Sequence, residues 1–186
     1  MKNKNIVFLD RDGVINKDSP EYVKGPDEFE FLPRSVAGIC LLAKSGFDII
    51  VVTNQSGLAR GFFSREGLDL MHGILLDAVR IRGGSIKDIF FCPHLPEHNC
   101  ECRKPKPGMI IDACKKFGIA PSSSIMVGDS VKDIECGINA GAKSVILVKT
   151  GNGIMAEKKL ARKQIIPDHV TQDLYEAAER IINDYT

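Results

Sequence analysis

The stretch Ile6-Val7-Phe8-Leu9-Asp10-Arg11-Asp12-Gly13-Val14-Ile15-Asn16 decides the fold. Four apolar residues run straight into two carboxylates separated by one residue, and a glycine follows. A short continuous apolar run reads as a strand buried on both faces, the kind found in parallel sheets. In extended backbone Asp10 and Asp12 point to the same side, because strand side chains alternate. Carboxylates that close repel each other, and neither is stable against an apolar sheet. Two readings stay open on this stretch alone. Asp12-Gly13 is an ordinary turn pair, or the two acids serve a hard cation or a reaction that uses both.

Working outward, strands and helices alternate. Ser35 to Gly46 carries an apolar stripe at helical spacing, and Asp48 to Val52 reads as a second buried strand running into Thr53-Asn54-Gln55-Ser56-Gly57. Ser64 is a good N-cap for a helix to about Arg82. Ile86 to Phe91 is a third strand, and Pro107 suits the first position of a helix through Phe117. Ser124 to Val127 is a fourth strand ending in Gly128-Asp129, followed by a helix over 131–140. Ser144 to Val148 is a fifth strand. A short strand near Val170 and a helix over 172–183 complete the pattern, while 152–167 is basic and without clear period. Phe29 and Phe31, alternating with Glu28 and Glu30, suggest a small edge strand. The polar loop from Lys17 to Asp27, with two prolines, is a candidate substrate collar.

Such alternation predicts an α/β fold, a doubly wound parallel sheet with helices on both faces. In these sheets ligands sit outside the carboxyl ends of the strands. Asp10, Asp12, Thr53, Asn54 and Asp129 all lie at those ends, which weighs against the plain-turn reading.

The 186 residues suit one domain spanning 1–186. A net charge of +1 gives no global field to steer nucleic acid or membrane toward the chain. The Lys158–Lys163 run has no interleaved aromatics and reads as a solvated face. The apolar run after Met1–Asn5 is too short for a leader or a membrane span, so the expected location is cytoplasmic. Six cysteines then need a reason other than disulfides. Cys40, Cys114 and Cys136 fall on apolar helical positions and read as core. His72 and His169 read as structural or exposed.

Cys92, His94, Cys100 and Cys102 form C-x-H-x5-C-x-C. Three thiols and an imidazole so close make a tetrahedral Zn²⁺ signal, and four ligands make it structural. His98 competes with His94 as a ligand. Asp129 adds a third carboxylate to Asp10 and Asp12, a set that suits Mg²⁺ with open positions for a phosphate oxygen. Asp133, one turn later, is either a partner to that set or a helix-start charge favoured by the dipole. Arg103, Lys104 and Lys106 bring cations. Thr53 and Asn54 bring hydroxyl, amide and backbone donors. These are the parts for stabilising a phosphoryl group in transfer. Asp10 is the natural nucleophile and Asp12 the acid/base.

Asp10-x-Asp12-Gly13, Thr53, Lys104 and Gly128-Asp129-x-x-x-Asp133 resemble, in order and strand position, the haloacid-dehalogenase (HAD) superfamily of phosphatases. The resemblance implies an aspartyl-phosphate on Asp10, acid/base chemistry at Asp12, and phosphoryl binding by Thr53 and Lys104. It also implies Mg²⁺ on Asp10, Asp129 and the Asp12 backbone carbonyl. Phe8–Gly13, Val52–Gly61 and Arg103–Met109, with the cysteine loop, are similar to the small HAD group of heptose 1,7-bisphosphate and histidinol-phosphate phosphatases. That similarity implies that Arg103 reads substrate, that Gln55 and Ser56 line its pocket, and that Asp18 to Glu21 contact the sugar or a second phosphate. The expected activity is removal of the C7 phosphate of a heptose bisphosphate, for nucleotide-activated heptose, by a monomer that takes a small sugar phosphate and no nucleic acid. The short zinc loop and the Asp18-Ser19-Pro20-Glu21 turn depart from the heptose pattern. The alternatives are histidinol-phosphate hydrolysis, a polynucleotide 3′-phosphatase disfavoured by the charge, or a non-catalytic phospho-ligand-binding domain.

Overall fold

The computed structural model describes residues 6–185, so Met1–Asn5 lie outside the described residues. Six strands form one sheet: β1 (Ile6–Leu9), β2 (Asp48–Asn54), β3 (Asp88–Cys92), β4 (Ser124–Gly128), β5 (Ser144–Val148) and β6 (His169–Thr171). Their order is β3-β2-β1-β4-β5-β6, with every pairing parallel. The first strand is therefore central. Leu9 lies level with Val51 on one side and Val127 on the other. Asp10 extends that ladder by one bond, its N–H donating to the Val127 carbonyl at 3.0 Å. Chain reversal in sheet order at β1 and β4 opens a crevice beyond their carboxyl ends, as doubly wound sheets require.

Helices cover both faces. On one lie α1 (Ser35–Lys44), α2 (Arg65–Ile81) and α6 (Leu174–Tyr185); on the other lie α3 (Gly108–Phe117), α4 (Val131–Ala140) and α5 (Gly153–Arg162). Alternation along β1 explains the division. Val7 and Leu9 enter a core with Ile39, Leu42, Leu75 and Ile181, while Ile6 and Phe8 enter a second core with Ile110, Ile134 and Leu160. All four β1 residues are fully buried, each stabilising the fold by about 1.5–3 kcal/mol in apolar transfer. Cys40 belongs to the first core and Cys114 and Cys136 to the second, as their helical positions predict. Ser64 caps α2, its Oγ accepting from the Gly67 N–H at 3.2 Å.

Three details differ from the sequence reading. Phe29 and Phe31 form no edge strand: a 3-10 turn over Pro26–Glu28 precedes them, and Phe31 makes only an isolated bridge to Asn16. Both rings instead pack together at 5.3 Å between centroids, with Phe29 buried, so packing overrides the alternating pattern. The ill-defined 152–167 segment contains α5. Its buried stripe is only Gly153, Ala156 and Leu160, too small to show as a period among basic neighbours. Pro107 caps α3 rather than opening it.

His72 on α2 is buried in this structure, and its Nε2 makes no hydrogen bond. Burial, aided by the Arg11 charge, lowers its pKa from 6.5 to about 4. The unfolded chain therefore takes up a proton that the folded chain refuses. The neutral ring's contribution to stability is complete above pH 6.5 and is lost as pH falls toward 4. We predict that His72→Leu flattens the acid slope of the unfolding free energy, measured by urea titration, in that window by at most about 1.4 kcal/mol per pH unit. An unchanged slope would show that His72 charges freely in the folded protein.

Candidate active site

The crevice beyond the strand ends is a cavity of about 410 Å³. It collects Asp10, Asp12, Asp18, Thr53, Asn54, Gln55, Ser56, Arg103, Lys104 and Asp129. Glu21 does not join them; it is solvent-exposed and its carboxylate lies 3.6 Å from Lys24 Nζ.

Lys104 is the hub. Its ammonium is buried and reaches three acceptors: Asp10 Oδ1 at 2.8 Å, Asp133 Oδ1 at 2.6 Å and the Val52 carbonyl at 2.8 Å. Burial alone would disfavour the charged form, but Asp10 and Asp133 outweigh it and raise the Lys104 pKa well above the usual lysine range. Asn54 fixes the backbone that carries this side chain. Its Oδ1 accepts from the Lys104 N–H at 3.1 Å, and its amide donates to the Lys104 carbonyl at 3.2 Å. The Asn54 side chain is thus committed to Lys104 rather than aimed at a ligand.

The aspartates divide by environment. Asp10 Oδ1 takes both Lys104 and the Arg11 N–H at 2.7 Å, which leaves Oδ2 toward the cavity. Burial, then the Asp133 charge, push its pKa well above the carboxylate norm. Asp12 goes the other way. Burial raises its pKa, but Arg11, Asn16 and Gln55 together bring it below the ordinary value. The Arg11 guanidinium, buried in turn, holds both oxygens at 2.8 and 3.1 Å. The Asn16 amide donates at 2.8 Å and that of Gln55 at 2.7 Å. Gln55 Nε2 also donates to Thr53 Oγ1 at 2.8 Å, so one amide orients two of the expected site groups.

Asp129 is held by the Asn152 N–H at 2.7 Å. Burial and Asp133 push it up to about 7. Gly13, at φ +81°, lies so close that a Cβ there would collide with the Asp129 carboxylate, so only glycine permits both the turn and the approach. Asp133 is completely buried. Its Oδ1 faces Lys104, and its Oδ2 accepts from the Ser130 N–H at 3.0 Å and hydroxyl at 2.6 Å. Both oxygens are occupied, so the two readings of Asp133 merge: it opens α4 and it partners the site lysine.

The groups present fit a dication. Ligand oxygens of Asp10, Asp129 and Asp133 lie within 4.8 Å of one another. Asp10, Asp12, Asp129 and Asp133 crowd around two buried cations, Arg11 and Lys104, and burial with mutual repulsion raises Asp10 and Asp129. With Asp133 fully engaged, Asp10 and Asp129 are the carboxylates left to hold a hard ion such as Mg²⁺.

Beside this site Cys92, His94, Cys100 and Cys102 gather, again within 4.8 Å. Cys92 Sγ lies 3.5 Å from Cys100 Sγ, and Cys102 Sγ lies 3.2 Å from Cys92 Sγ and 3.3 Å from His94 Nδ1. Zn–S bonds near 2.3 Å give tetrahedral edges of about 3.8 Å, so the cluster can hold Zn²⁺ with small adjustment. His98 is not in it; its ring stands 5.9 Å from that of His94. Burial and the neighbouring thiols raise the Cys102 thiol strongly, a cost that a bound dication would reverse. The cluster is tied to the crevice by Arg103, whose guanidinium donates to the His94 carbonyl at 3.1 Å, and by the Gln55 N–H on the Cys92 carbonyl at 2.7 Å.

Four contributors escaped the sequence reading. Arg11 should have pointed away from its neighbours by alternation, and its guanidinium turns back to Asp12 while lying 5.6 Å from the Phe29 ring centre. A charged residue inside a buried strand exit was the available signal. Asn16, Thr150 and Asn152 carried none. Thr150 Oγ1 donates to the Gly13 carbonyl at 2.7 Å.

A buried lysine shared by two carboxylates, beside two more at the ends of parallel strands, defines a class of hydrolase built for phosphoryl groups. Residues 101–177 match the HAD-hydrolase-like family model. The D-glycero-beta-D-manno-heptose-1,7-bisphosphate 7-phosphatase of Bordetella bronchiseptica is 38% identical over 96% of this chain and 98% of its own. The alpha-specific counterpart of Photorhabdus laumondii is 42% identical over 79% of this chain and 84% of its own. The crystal structure of the B. bronchiseptica D,D-heptose 1,7-bisphosphate phosphatase, complexed with magnesium and phosphate, covers 97% of this chain and 99% of that one with a TM-score of 0.90. The chain belongs to the heptose 1,7-bisphosphate 7-phosphatase family of HAD-like hydrolases.

Proposed function

We propose that this chain is a Mg²⁺-dependent phosphatase that removes the C7 phosphate of D-glycero-D-manno-heptose 1,7-bisphosphate, supplying nucleotide-activated heptose synthesis. The observation that carries the chemistry is the split on Asp10: Oδ1 is pinned by Lys104 and the Arg11 N–H, and Oδ2 is left toward the cavity. That is the posture of a carboxylate nucleophile. Attack of Oδ2 on phosphorus forms an aspartyl-phosphate and breaks the ester P–O bond. Asp12 gives its proton to the departing C7 oxygen. A water then attacks the phosphorus, Asp12 takes back a proton, and Asp10 leaves as a carboxylate with inorganic phosphate.

Arg11, Asn16 and Gln55 hold Asp12 charged at rest, which suits the second half-reaction. For the first half, the phosphate dianion arriving beside Asp12 raises its proton affinity, since like charges disfavour ionisation. Lys104 and Thr53 bind phosphoryl oxygens, and Gln55 keeps the Thr53 hydroxyl aimed. Mg²⁺, held by Asp10, Asp129 and the Asp12 backbone carbonyl, would relieve the repulsion among the carboxylates and draw charge from the phosphoryl group. Zn²⁺ on Cys92, His94, Cys100 and Cys102 would be structural, fixing the loop that presents Arg103 to the sugar or its second phosphate. Free thiol ligands suit a reducing, cytoplasmic setting. On this reading the chain acts as a monomer and a single domain.

Comparing kcat/KM across α- and β-heptose 1,7-bisphosphate, fructose 1,6-bisphosphate and histidinol phosphate tests the substrate. One heptose anomer should lead by at least about tenfold, equivalent to about 1.4 kcal/mol of transition-state binding. A lead by histidinol phosphate would move the assignment to that neighbouring activity. Metal analysis of purified protein should find one zinc per chain, and zinc-free protein with full thermal stability would contradict the four-ligand site.

A further inference from the structure

The collar crosses the mouth of the crevice with an anchor at each end. At one end the Tyr22 hydroxyl accepts from Arg60 Nε at 2.9 Å and lies 3.5 Å from Ser56 Oγ, with the Tyr22 and Phe62 rings 5.1 Å apart. That end belongs to the loop after β2. At the other end Asn152, on the segment between β5 and α5, donates its amide to Asp18 Oδ2 at 2.9 Å. The same nitrogen lies 3.4 Å from Asp129 Oδ2, and the Asn152 backbone N–H holds that oxygen at 2.7 Å. Gly151, at φ +54°, lets this segment press against both Asp129 and Gly13, which sets where Asn152 stands.

Asp18 shares the crevice with Asp10, Asp12 and Asp129. Left to themselves, like charges would drive the collar outward. We propose that Asn152 is a positioning residue that ties the collar to the catalytic floor: its neutral amide lets Asp18 close over the crevice despite the carboxylates beneath. The proposal deepens the phosphatase reading by assigning a residue to substrate retention. The Asn152 backbone N–H, at 2.7 Å, survives any side-chain change and keeps hold of Asp129, so loss of the side chain falls chiefly on its shorter contact, to Asp18. Loss of the tether should therefore raise KM more than it lowers kcat.

The test combines kinetics with hydrogen exchange of the collar over residues 17–24 in the full chain. Asn152 is exposed, so substitution there is compatible with folding. Asn152→Ala should speed collar exchange and raise KM for heptose bisphosphate by about tenfold, the scale of one charge-assisted hydrogen bond. Asn152→Asp, which sets a carboxylate against Asp18, should speed exchange further. Combining Asp18→Asn with Asn152→Asp reverses donor and acceptor and should slow collar exchange again. Unchanged exchange in Asn152→Ala and Asn152→Asp overturns the proposal. So does a fall in kcat with KM unchanged, which would assign Asn152 to Asp129 alone. If the wild-type chain hydrolyses none of the phosphates, the phosphatase reading fails, and the exchange data still decide the tether.

Discussion

The ammonium of Lys104, buried between Asp10 and Asp133, is the interaction on which the rest of the structure depends. Four carboxylates converge where the strands end, and such a cluster is tolerable only with cations among them. Removing one member of a buried pair leaves an uncompensated charge, at a cost of about 3–5 kcal/mol. The fold is arranged to prevent this. Asn54 clamps the Lys104 backbone, the Val52 carbonyl accepts from its ammonium, and Ser130 occupies the far oxygen of Asp133. What remains is crowding at Asp10 and Asp129, whose carboxyls burial and like charges hold above the usual range.

Topology makes that possible. The central strand pairs on both sides, so its end cannot shift without disturbing β2 and β4. Asp10 extends that ladder by a single bond and then the chain turns. Asp10 is held at the end of a fully buried strand, whereas Gln55, Ser56, Arg103 and Asn152 of the crevice sit on loops. The cysteine loop serves the same division. It carries no reacting group, yet Arg103 and Lys104 follow its last thiol directly, so anything that fixes the loop fixes both cations.

Much of this was legible in the sequence because it rests on short-range rules. Ile6–Leu9 could only be a buried strand, and the polar residues at successive strand ends had to share one edge. Asp10, Asp12, Lys104 and Asp129 gather at that edge, and Cys92, His94, Cys100 and Cys102, marked by their spacing, gather beside it. What was illegible depends on contacts between distant segments. Asn54 looked like a phosphate donor until Lys104 came to lie beside it. Glu21 looked like part of the collar's inner face, and the turn sends it to solvent. Asn152 meets Asp18 across the whole chain, and its helix hides a three-residue apolar stripe among lysines. Phe29 and Phe31 show the reverse case, where a correct local pattern lost to core packing.

The central claim is that the free oxygen of Asp10 attacks phosphorus while Lys104 holds the other. Acid-quenching a single turnover of heptose bisphosphate labelled in its C7 phosphate, then mapping the label by peptide mass spectrometry, tests it most directly. The account predicts a transient acyl-phosphate on Asp10 in the wild-type chain and none in Asp10→Asn, which should fold normally and turn over nothing. Release of labelled phosphate with no label ever on the chain, or full turnover by Asp10→Asn, would contradict it.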